Sequence, residues 1–351
     1  MKDNDPNKYY KCGVFMQDNT KKQATPLNIP RGTLSYIGAM THRGKTTALI
    51  SIALDAIEQG QKVYFVTTEE TPDQVFIRMI KAILVSNFPQ VLQYNNLTNT
   101  FYLKDVDDID ERIINFMGTY EKALFSNSPA SFKDAVYLSY EILCEYLQKE
   151  LFTIIDHTQQ RTFEELHATL NTLENKSLIV LDYIQHVKKP ANSGSDNRQV
   201  IIQNESQQLA DIAGHKDLII IAGGQFNRKG NDKEKEQDKY KPDFLDPTLF
   251  RESGDIEQDA HLIIGIGQQI HETEVIAGKP VTRFYEILKQ RGHKPDANKY
   301  EILDNSAFSL YSCINNDGHL QYFASVKQDK TSGNNKKQNN EKKEVLFTMA
   351  Q

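Results

Sequence analysis

This chain of 351 residues has no long apolar run, few cysteines and no excess of positive charge. No apolar run approaches the roughly 20 residues that cross a bilayer, and the N-terminal stretch MKDNDPNKYYKC holds no apolar signal segment. We therefore expect a cytoplasmic protein without a membrane partner. The formal net charge of −6 argues against a protein that coats nucleic acid over its whole surface, although it is compatible with a locally basic channel.

The three cysteines, Cys12, Cys144 and Cys313, lie far apart and share no metal-ligand or redox spacing. A disulfide framework or a zinc cluster is therefore not expected, and we interpret these residues as reduced and structural. With 39% hydrophobic residues the chain can bury a sizeable core, and single cores usually stop growing at about 250–300 residues. One large domain with extensions is the expectation.

Between Leu34 and Leu310, short apolar runs alternate with helical patterns, which is typical of a parallel sheet covered by helices on both faces. The expected strands are TLSYIGA, KVYFVTTE, SLIVLDYIQHV, DLIIIAGGQ, HLIIGIG and RFYEILKQ. Several of them are apolar on both alternating faces, as buried parallel strands are. We therefore predict an α/β fold with a mostly parallel central sheet flanked by helices.

Residues 31–325 are expected to form this domain, and three other segments depart from its pattern. The crossover at about 85–170 is longer than the usual α/β connection, so we expect a helical insertion there. Residues 326–351 are polar and predict a disordered tail. Residues 1–30 predict an N-terminal arm, which could dock on a neighbouring copy because it carries apolar side chains that need a cover: Tyr9, Tyr10, Val14 and Phe15.

The stretch IGAMTHRGKTTALI, residues 37–50, has the order strand, glycine loop and helix that a phosphate-binding loop requires. Backbone N–H groups and the positive end of the helix surround phosphate oxygens in such loops. Gly44 would let the backbone approach the phosphates closely, Lys45 would supply a positive charge and Thr46 could ligate Mg²⁺. Alanine can replace the usual first glycine where φ is negative. The expected nucleotide contacts are Ala39, Thr41, His42, Arg43, Gly44, Lys45, Thr46 and Thr47; the alternative is that Gly-Lys-Thr-Thr opens a structural helix.

Two further strands end in carboxylates that could serve the same site. Asp182 follows an apolar strand, an arrangement in which the carboxylate holds Mg²⁺, although it could instead cap the following turn. Glu69 and Glu70 end KVYFVTTEE, and either could polarise an attacking water as general base. Because Pro72 follows, either acid could also be an ordinary charge at a helix N-terminus.

These segments together resemble the motor domain of DnaB-type replicative helicases within the RecA-like P-loop ATPase superfamily. The resemblance rests on AMTHRGKTT, FVTTEET, LIVLDYIQ, AGGQFNR, FRESGDIEQDAHLI and ILKQRG, of which RESGDIEQDA, residues 251–260, is the most specific. It spans residues 30–305 except the divergent region 85–170. The resemblance implies a RecA-like P-loop NTPase core that uses ATP and Mg²⁺.

Residue by residue, the resemblance implies that Glu69 is the catalytic base and that Asp182 coordinates Mg²⁺. Gln225 would sense the γ-phosphate. Lys289 and Arg291 resemble the pair that enters a neighbouring subunit's nucleotide site, with Arg291 as the finger. Such shared sites need a head-to-tail homo-oligomer, which closes into a ring or opens into a helix. The resemblance implies a ring, expected to be a hexamer. For Lys289 and Arg291 the alternative is a pair of exposed charges at a strand end.

For nucleic acid, the resemblance points to a loop that holds single-stranded DNA phosphates through Arg251, Glu252 and Gly254, with residues 188–199 as a second contact region. A structural ion pair is the alternative for Arg251. The family also carries a helical N-terminal domain, whereas only the short arm is expected before the phosphate loop here.

Three functions remain open at this point. The first is a ring-forming DNA helicase of a plasmid, phage or other small replicon, working with a replication or loader protein. The second is a regulatory or loading ATPase that works with partner proteins and does not unwind DNA. The third is a nucleotide-binding scaffold with little turnover.

Overall fold

The computed structural model describes residues 7–17, 25–88, 91–95, 100–102, 109, 113, 131–159, 161–188, 197–227, 241–250, 256–270, 281–293, 296–305 and 309–312, and the structural statements below concern these residues. The helices are α1 (Lys45–Glu58), α2 (Pro72–Asn87), α3 (Phe132–Gln148), α4 (Phe163–Thr172), α5 (Arg198–Lys216) and α6 (Ile256–Asp259). In the described ranges, no helix is both long enough and apolar enough to cross a membrane.

The larger strands are β1 (Tyr9–Gln17), β2 (Thr25–Pro30), β3 (Thr33–Ala39), β4 (Val63–Thr67), β7 (Phe152–Asp156), β8 (Leu178–Asp182), β9 (Ile219–Gln225), β10 (Leu262–Ile270), β11 (Val281–Gln290) and β12 (Asp296–Glu301). The short strands are β5 (Gln93–Asn95), β6 (Thr100–Tyr102), β13 (Leu303–Asn305) and β14 (Leu310–Ser312). Single turns of 3₁₀-helix cover Ile184–His186 and Pro247–Leu249.

An eight-stranded sheet lies at the centre of the fold, in the order β12-β11-β10-β3-β9-β8-β4-β7. Neighbouring strands from β10 to β7 run parallel, and β11 and β12 extend one edge in antiparallel pairs. All six strands expected from apolar runs lie in this sheet, as β3, β4, β8, β9, β10 and β11. The prediction of a mostly parallel α/β sheet is confirmed.

Apolar side chains cover both faces of the sheet. The strands β4 and β8 are buried at every position, as their continuous apolar sequences predict. One apolar cluster packs α1, α2 and α3 on the first face, and a second packs α4 and α5 on the other. This two-sided burial leaves the ends of the strands as the places where polar side chains can gather.

The N-terminal strands β1 and β2 form an antiparallel hairpin on α1 of the same chain. Tyr10 Oη donates to Asp55 Oδ2 at 2.6 Å, and the Gly13 N–H donates to the same oxygen at 3.0 Å. Tyr10, Val14 and Phe15 are buried. The expectation that a neighbouring copy would cover these side chains is therefore corrected, because the hairpin folds back onto its own helix.

The cysteines in the described residues are free thiols, Cys12 and Cys144, and Cys313 lies outside those residues. Burial, with the nearby Asp55 carboxylate, raises the pKa of Cys12 to about 12. The Cys12 thiol therefore stays protonated at neutral pH, which makes it a poor nucleophile. The interpretation of Cys12 as a structural residue agrees with this environment.

The region expected as a helical insertion also contributes a strand to the main sheet, so it is not wholly helical. β7 pairs in parallel with β4 at the sheet edge, with Ile154 opposite Phe65. Sequence reasoning missed β7 because no glycine or proline separates it from α3. Glu150 makes that turn with φ of 53°, a left-handed conformation that glycine usually adopts.

We expect Tyr10→Ala to lower the free energy of unfolding by about 3–5 kcal/mol, because it removes a fully buried aromatic ring. Tyr10→Phe should lower it by about 1 kcal/mol, since only the hydrogen bonds of the hydroxyl to Asp55 and to the Ile52 carbonyl are lost. Denaturant unfolding of each variant measures both values.

Tyr9→Phe serves as the control, because Tyr9 precedes Tyr10 in β1 but is not buried; its effect should stay within about 0.5 kcal/mol. If a second copy covered the hairpin after all, the Tyr10→Ala loss would grow as protein concentration rises, because association would stabilise the unchanged protein more than the variant.

Candidate functional site

Residues 40–44 connect β3 to α1 and leave the N-terminus of α1 at the carboxyl edge of the sheet. Gly44 is the N-cap, with φ of 82° and ψ of 31°, a left-handed conformation that favours glycine. A Cβ at Gly44 would lie 1.8 Å from Tyr311 Oη, so the position has no room for a side chain. Ala39 ends β3 in extended backbone, where alanine fits as well as glycine. The loop therefore has the geometry of an anion site at a helix N-terminus.

The predicted loop residues differ in exposure. Thr41, His42, Arg43, Gly44, Lys45 and Thr46 are at least partly exposed, whereas Ala39 and Thr47 are buried. The exposed set is therefore the part of the loop that a ligand can touch through side chains.

Lys45 and Thr46 converge on the Asp182 carboxylate. The Lys45 ammonium pairs with Asp182 Oδ1, and Thr46 Oγ1 donates to Asp182 Oδ2 at 2.6 Å. The Asp182 side chain is only 3% exposed, so these partners supply most of its neutralisation. The structure thus brings together the three residues expected to bind phosphate and Mg²⁺. A hydroxyl and a carboxylate oxygen side by side are ligands that Mg²⁺ prefers, so the residues present fit this ion.

Thr68 and Tyr183 hold Asp182 in place. Thr68 Oγ1 donates to the Asp182 carbonyl at 2.9 Å and accepts from the Tyr183 N–H at 2.9 Å, which ties the end of β4 to the end of β8. The Tyr183 ring lies under Lys45, with Nζ 3.9 Å from the ring centroid. Lys45 is therefore positioned by a carboxylate and by an aromatic face.

Gly223 makes room for this arrangement and was not anticipated from the sequence. A Cβ at Gly223 would lie 3.0 Å from Lys45 Cδ and 3.1 Å from Tyr183 Cβ. The signal available in the sequence was the pair Gly223-Gly224 inside an apolar strand, which indicates close approach of neighbouring atoms.

The two acids after β4 have different surroundings. Both carboxylate oxygens of Glu70 accept from the Arg78 guanidinium, and Arg78 Nη1 also donates to Ser309 Oγ at 3.1 Å. Glu69 is exposed and forms no ion pair with any described residue. Arg78 on α2 therefore holds Glu70, whereas Glu69 remains exposed.

Gln225 links the end of β9 to the phosphate loop. Its Nε2 donates to Thr41 Oγ1 at 2.6 Å, and its backbone N–H donates to Gln185 Oε1 at 3.2 Å. Ala39 lies beside Gln225 in the sheet register. Gln225 therefore lies against the loop and is tied to it through Thr41.

A second set of side chains holds the loop from the other side, and we call Arg43, Asp243, Gln268 and Arg283 the Arg43 network. Arg43 Nε donates to Asp243 Oδ2 at 2.8 Å, and the Gln268 N–H donates to that oxygen at 2.9 Å. Arg283 Nη1 donates to Gln268 Oε1 at 2.6 Å, and its Nη2 lies 3.4 Å from the His42 carbonyl. Asp243, Gln268 and Arg283 were missed because no local pattern relates them to the loop.

Lys289 and Arg291 lie at the opposite end of the sheet from the phosphate loop. The Arg291 N–H donates to the His261 carbonyl at 2.8 Å, and the His261 N–H donates to the Leu34 carbonyl at 2.7 Å. From Leu34 to Ala39 the strand β3 advances about 17 Å at roughly 3.3 Å per residue. Neither basic side chain therefore joins Lys45 and Asp182 of its own chain.

At this far end, both basic side chains bind carbonyls of the short helix α6. The Lys289 ammonium donates to the Glu257 carbonyl, and Arg291 Nη2 donates to the Gln258 carbonyl at 2.8 Å. Burial, and then the charge of Arg291, lower the pKa of Lys289. The structure thus gives the pair a capping contact with α6 in the single chain. Arg251, Glu252 and Gly254 lie outside the described residues.

We expect Gly44→Ala to destabilise the protein by more than about 1 kcal/mol, because the residue is left-handed and its Cβ would meet Tyr311. Gly214→Ala is the matched control: Gly214 lies in α5 with nothing within 4 Å of the new Cβ, so the substitution should stabilise by about 0.5–1 kcal/mol. Thermal unfolding of both variants gives the comparison. Equal shifts of the same sign would contradict the described loop conformation.

Comparison with known proteins gives a consistent result. The family described as the DnaB-like helicase C-terminal domain matches residues 28–297. A probable plasmid replicative DNA helicase of Chlamydia psittaci is 26% identical over 260 residues, which cover 72% of this chain and 47% of that protein. The chain therefore spans about half the length of this relative.

Two solved structures share the fold. One, described as an ATPase domain, has a TM-score of 0.57 at 17% identity, covering 82% of this chain and 86% of that one. The other, a DnaB-like replicative helicase described with its interactions with primase, has a TM-score of 0.54 at 16% identity, covering 80% of this chain and 57% of that one. Together with the family match over most of its length, these findings show that the chain belongs to the DnaB-like helicase C-terminal domain family.

Proposed function

We propose that this chain is a Mg²⁺-dependent ATP hydrolase that acts as a ring of copies and drives DNA unwinding along single-stranded DNA. The convergence of Lys45 and Thr46 on Asp182, at the N-terminus of α1, is the observation that carries the proposal. It puts an ammonium, a helix N-terminus and two hard oxygen ligands at one point, which is the set that a nucleoside triphosphate requires. Membership of the family supports DNA as the second substrate.

The residues of the site have separate tasks. Thr46 and Asp182 would hold a Mg²⁺ ion, which neutralises charge on the β- and γ-phosphate oxygens when it is bound. Lys45 lies beside the same carboxylate and can reach the terminal phosphates. Glu69, left available because Arg78 engages Glu70, would accept the proton of the attacking water. Gln225 would report the γ-phosphate through its bond to Thr41.

The position of Arg291 supports the proposal that a second copy completes this site. A phosphoryl-transfer transition state spreads negative charge over the γ-oxygens, and an arginine that neutralises this charge raises the rate by about 10³–10⁵ in related enzymes. Arg291 cannot reach the loop of its own chain, because it lies at the far end of the sheet. We assign it and Lys289 to the nucleotide site of the next copy. A head-to-tail contact of this kind closes into a ring or opens into a helix, and we propose a ring of six members.

The remaining assignments belong to the same proposal. Arg251, Glu252 and Gly254 would contact DNA phosphates in the ring channel, a contact that is independent of sequence and sensitive to salt. A primase or a loader is the kind of protein partner to be sought. Residues 1–30, 31–325 and 326–351 would be the arm, the motor domain with its 85–170 insertion, and the polar tail.

Strand displacement on forked DNA, measured beside ATP hydrolysis with and without single-stranded DNA, tests the function. We expect Mg²⁺-dependent hydrolysis that DNA stimulates, together with displacement of the strand. Lys45→Ala should lower both by at least about 10²-fold, since one transition-state contact is worth that much.

Lys62→Ala is the control, because Lys62 binds the exposed acids Glu150 and Glu174 and lies outside the site; its activity should equal that of the unchanged protein. Stimulated hydrolysis without displacement would favour a regulatory or loading ATPase. Hydrolysis that survives Lys45→Ala would refute the site.

Arg291→Ala should reduce hydrolysis by about 10³-fold or more while nucleotide binding is retained, because the finger acts in the transition state. Glu69→Gln should also be inactive. Mixing the two variants should restore part of the activity, since some interfaces then combine an intact Glu69 with an intact Arg291. Steady-state hydrolysis across a series of mixing ratios measures the recovery.

Lys149→Ala is the control and changes an exposed side chain on the C-terminal side of α3. It should retain full activity without being mixed with a second variant. A protein that stays monomeric at all concentrations and shows no recovery on mixing would contradict the shared site.

A further inference from the structure

The phosphate loop is held through a side chain on each side of its apex, by residues from different parts of the chain. On one side, Gln225 at the end of β9 donates to Thr41. On the other, Arg43 donates to Asp243. The stretch of chain that joins Gln225 to Asp243 therefore starts and ends at the loop. The Gln225 contact belongs to the function proposed above, whereas the Asp243 contact has no role in it.

The position of Asp243 follows from the way β3 leaves the sheet. Ala39 is the last residue of β3 and pairs with Ile266 of β10. The strand β10 continues to Ile270, so beyond Ile266 it no longer has β3 beside it. Asp243 takes that place: its N–H donates to the Gln268 carbonyl at 2.9 Å, and its Oδ2 accepts from the Gln268 N–H at 2.9 Å.

Asp243 is thus fully buried against the strand and offers its carboxylate to the loop. The Asp243 side chain is 0% exposed and that of Arg43 is 22% exposed. A residue that merely closed the edge of β10 would need only the two bonds to Gln268. The additional bond to Arg43 ties the residue next to Gly44 to the sheet.

We propose that Asp243 is a positioning residue for nucleotide binding: by holding Arg43, it keeps the backbone N–H groups of the phosphate loop in the orientation that receives phosphates. The inference rests on the proposed function and adds a residue to it. Loops that must be ordered by their ligand bind more weakly, because binding then includes the loss of loop entropy. Asp243 does not approach the reacting groups, so its effect should fall on affinity and spare the chemical step.

The test uses the full chain, Mg²⁺ and the non-hydrolysable ATP analogue AMP-PNP in isothermal titration calorimetry, together with steady-state ATP hydrolysis. Asp243→Asn keeps the size of the side chain and an acceptor for Gln268 but removes the charge that holds Arg43. We expect its Kd for AMP-PNP and its KM for ATP to rise by about 3- to 10-fold, with kcat changed by less than about twofold.

Glu286→Gln is the matched control. Glu286 is a largely buried carboxylate on β11 that pairs with Lys299 at 3.1 Å, and it does not touch the loop. It should leave Kd and KM unchanged. A Kd increase in Asp243→Asn no larger than in Glu286→Gln would overturn the inference, as would a fall in kcat at constant KM.

A variant of Arg43, the residue that Asp243 binds, distinguishes loss of this contact from misfolding of Asp243→Asn. Arg43→Gln leaves the Asp243 carboxylate buried without its cation, which is costly, and should weaken binding more than Asp243→Asn does. The double variant Arg43→Gln/Asp243→Asn should bind AMP-PNP more tightly than Arg43→Gln alone. Additive losses would overturn the pairing.

The two proposals fail differently. An unchanged protein that neither binds AMP-PNP nor hydrolyses ATP would overturn the proposed function together with this inference. Normal binding by the unchanged protein and by all three variants would overturn only the role of Asp243.

Discussion

The buried carboxylate of Asp182 is the interaction on which the candidate site depends. A carboxylate with so little water must be paired, because an uncompensated buried charge costs several kcal/mol. Its partners, Lys45 and Thr46, are the first residues of α1, so the pairing sets the N-terminus of the helix over the carboxyl ends of the strands. The Thr68 hydroxyl hydrogen-bonds both the Asp182 carbonyl and the Tyr183 N–H, which brings the end of β4 to the same point. Through its carboxylate and its backbone, Asp182 thereby joins two strands and a helix.

Strand direction separates the chemistry of the protein into two ends. Because the strands run parallel, their carboxyl ends lie on the same side of the sheet. That side therefore holds the residues that follow or end these strands, which are Lys45, Asp182, Glu69 and Gln225. The strand β11 runs antiparallel to β10 and carries Arg291 to the opposite ends of the strands. A group at the far end of the sheet can serve a nucleotide only in another molecule. The topology of the fold is therefore compatible with the proposed site shared between copies.

Much of this arrangement was predictable, because it depends on local pattern. The six apolar runs became six strands of the sheet, since continuous apolar sequence suits a strand that is buried on both faces. The loop was recognisable because glycine, lysine and threonine act through backbone conformation and adjacent side chains. Prediction failed where contacts join distant parts of the chain. β7 follows α3 through a turn at Glu150 that contains no glycine. Tyr10 is buried through a contact with Asp55 on α1, and nothing in the sequence of the arm indicates that contact.

By itself, the sequence determined that strand, loop and helix would present Lys45 and Thr46 to an anion, because neighbouring residues and backbone geometry decide that step. It also placed the carboxylates of Asp182, Glu69 and Glu70 at strand ends. Only the tertiary structure decided which acid is available, since Arg78 reaches back from α2 to engage Glu70. Only the tertiary structure, too, set Asp243 against Arg43, two hundred residues along the chain. Charges separated so far in sequence meet when the sheet has formed, because burial makes their pairing necessary.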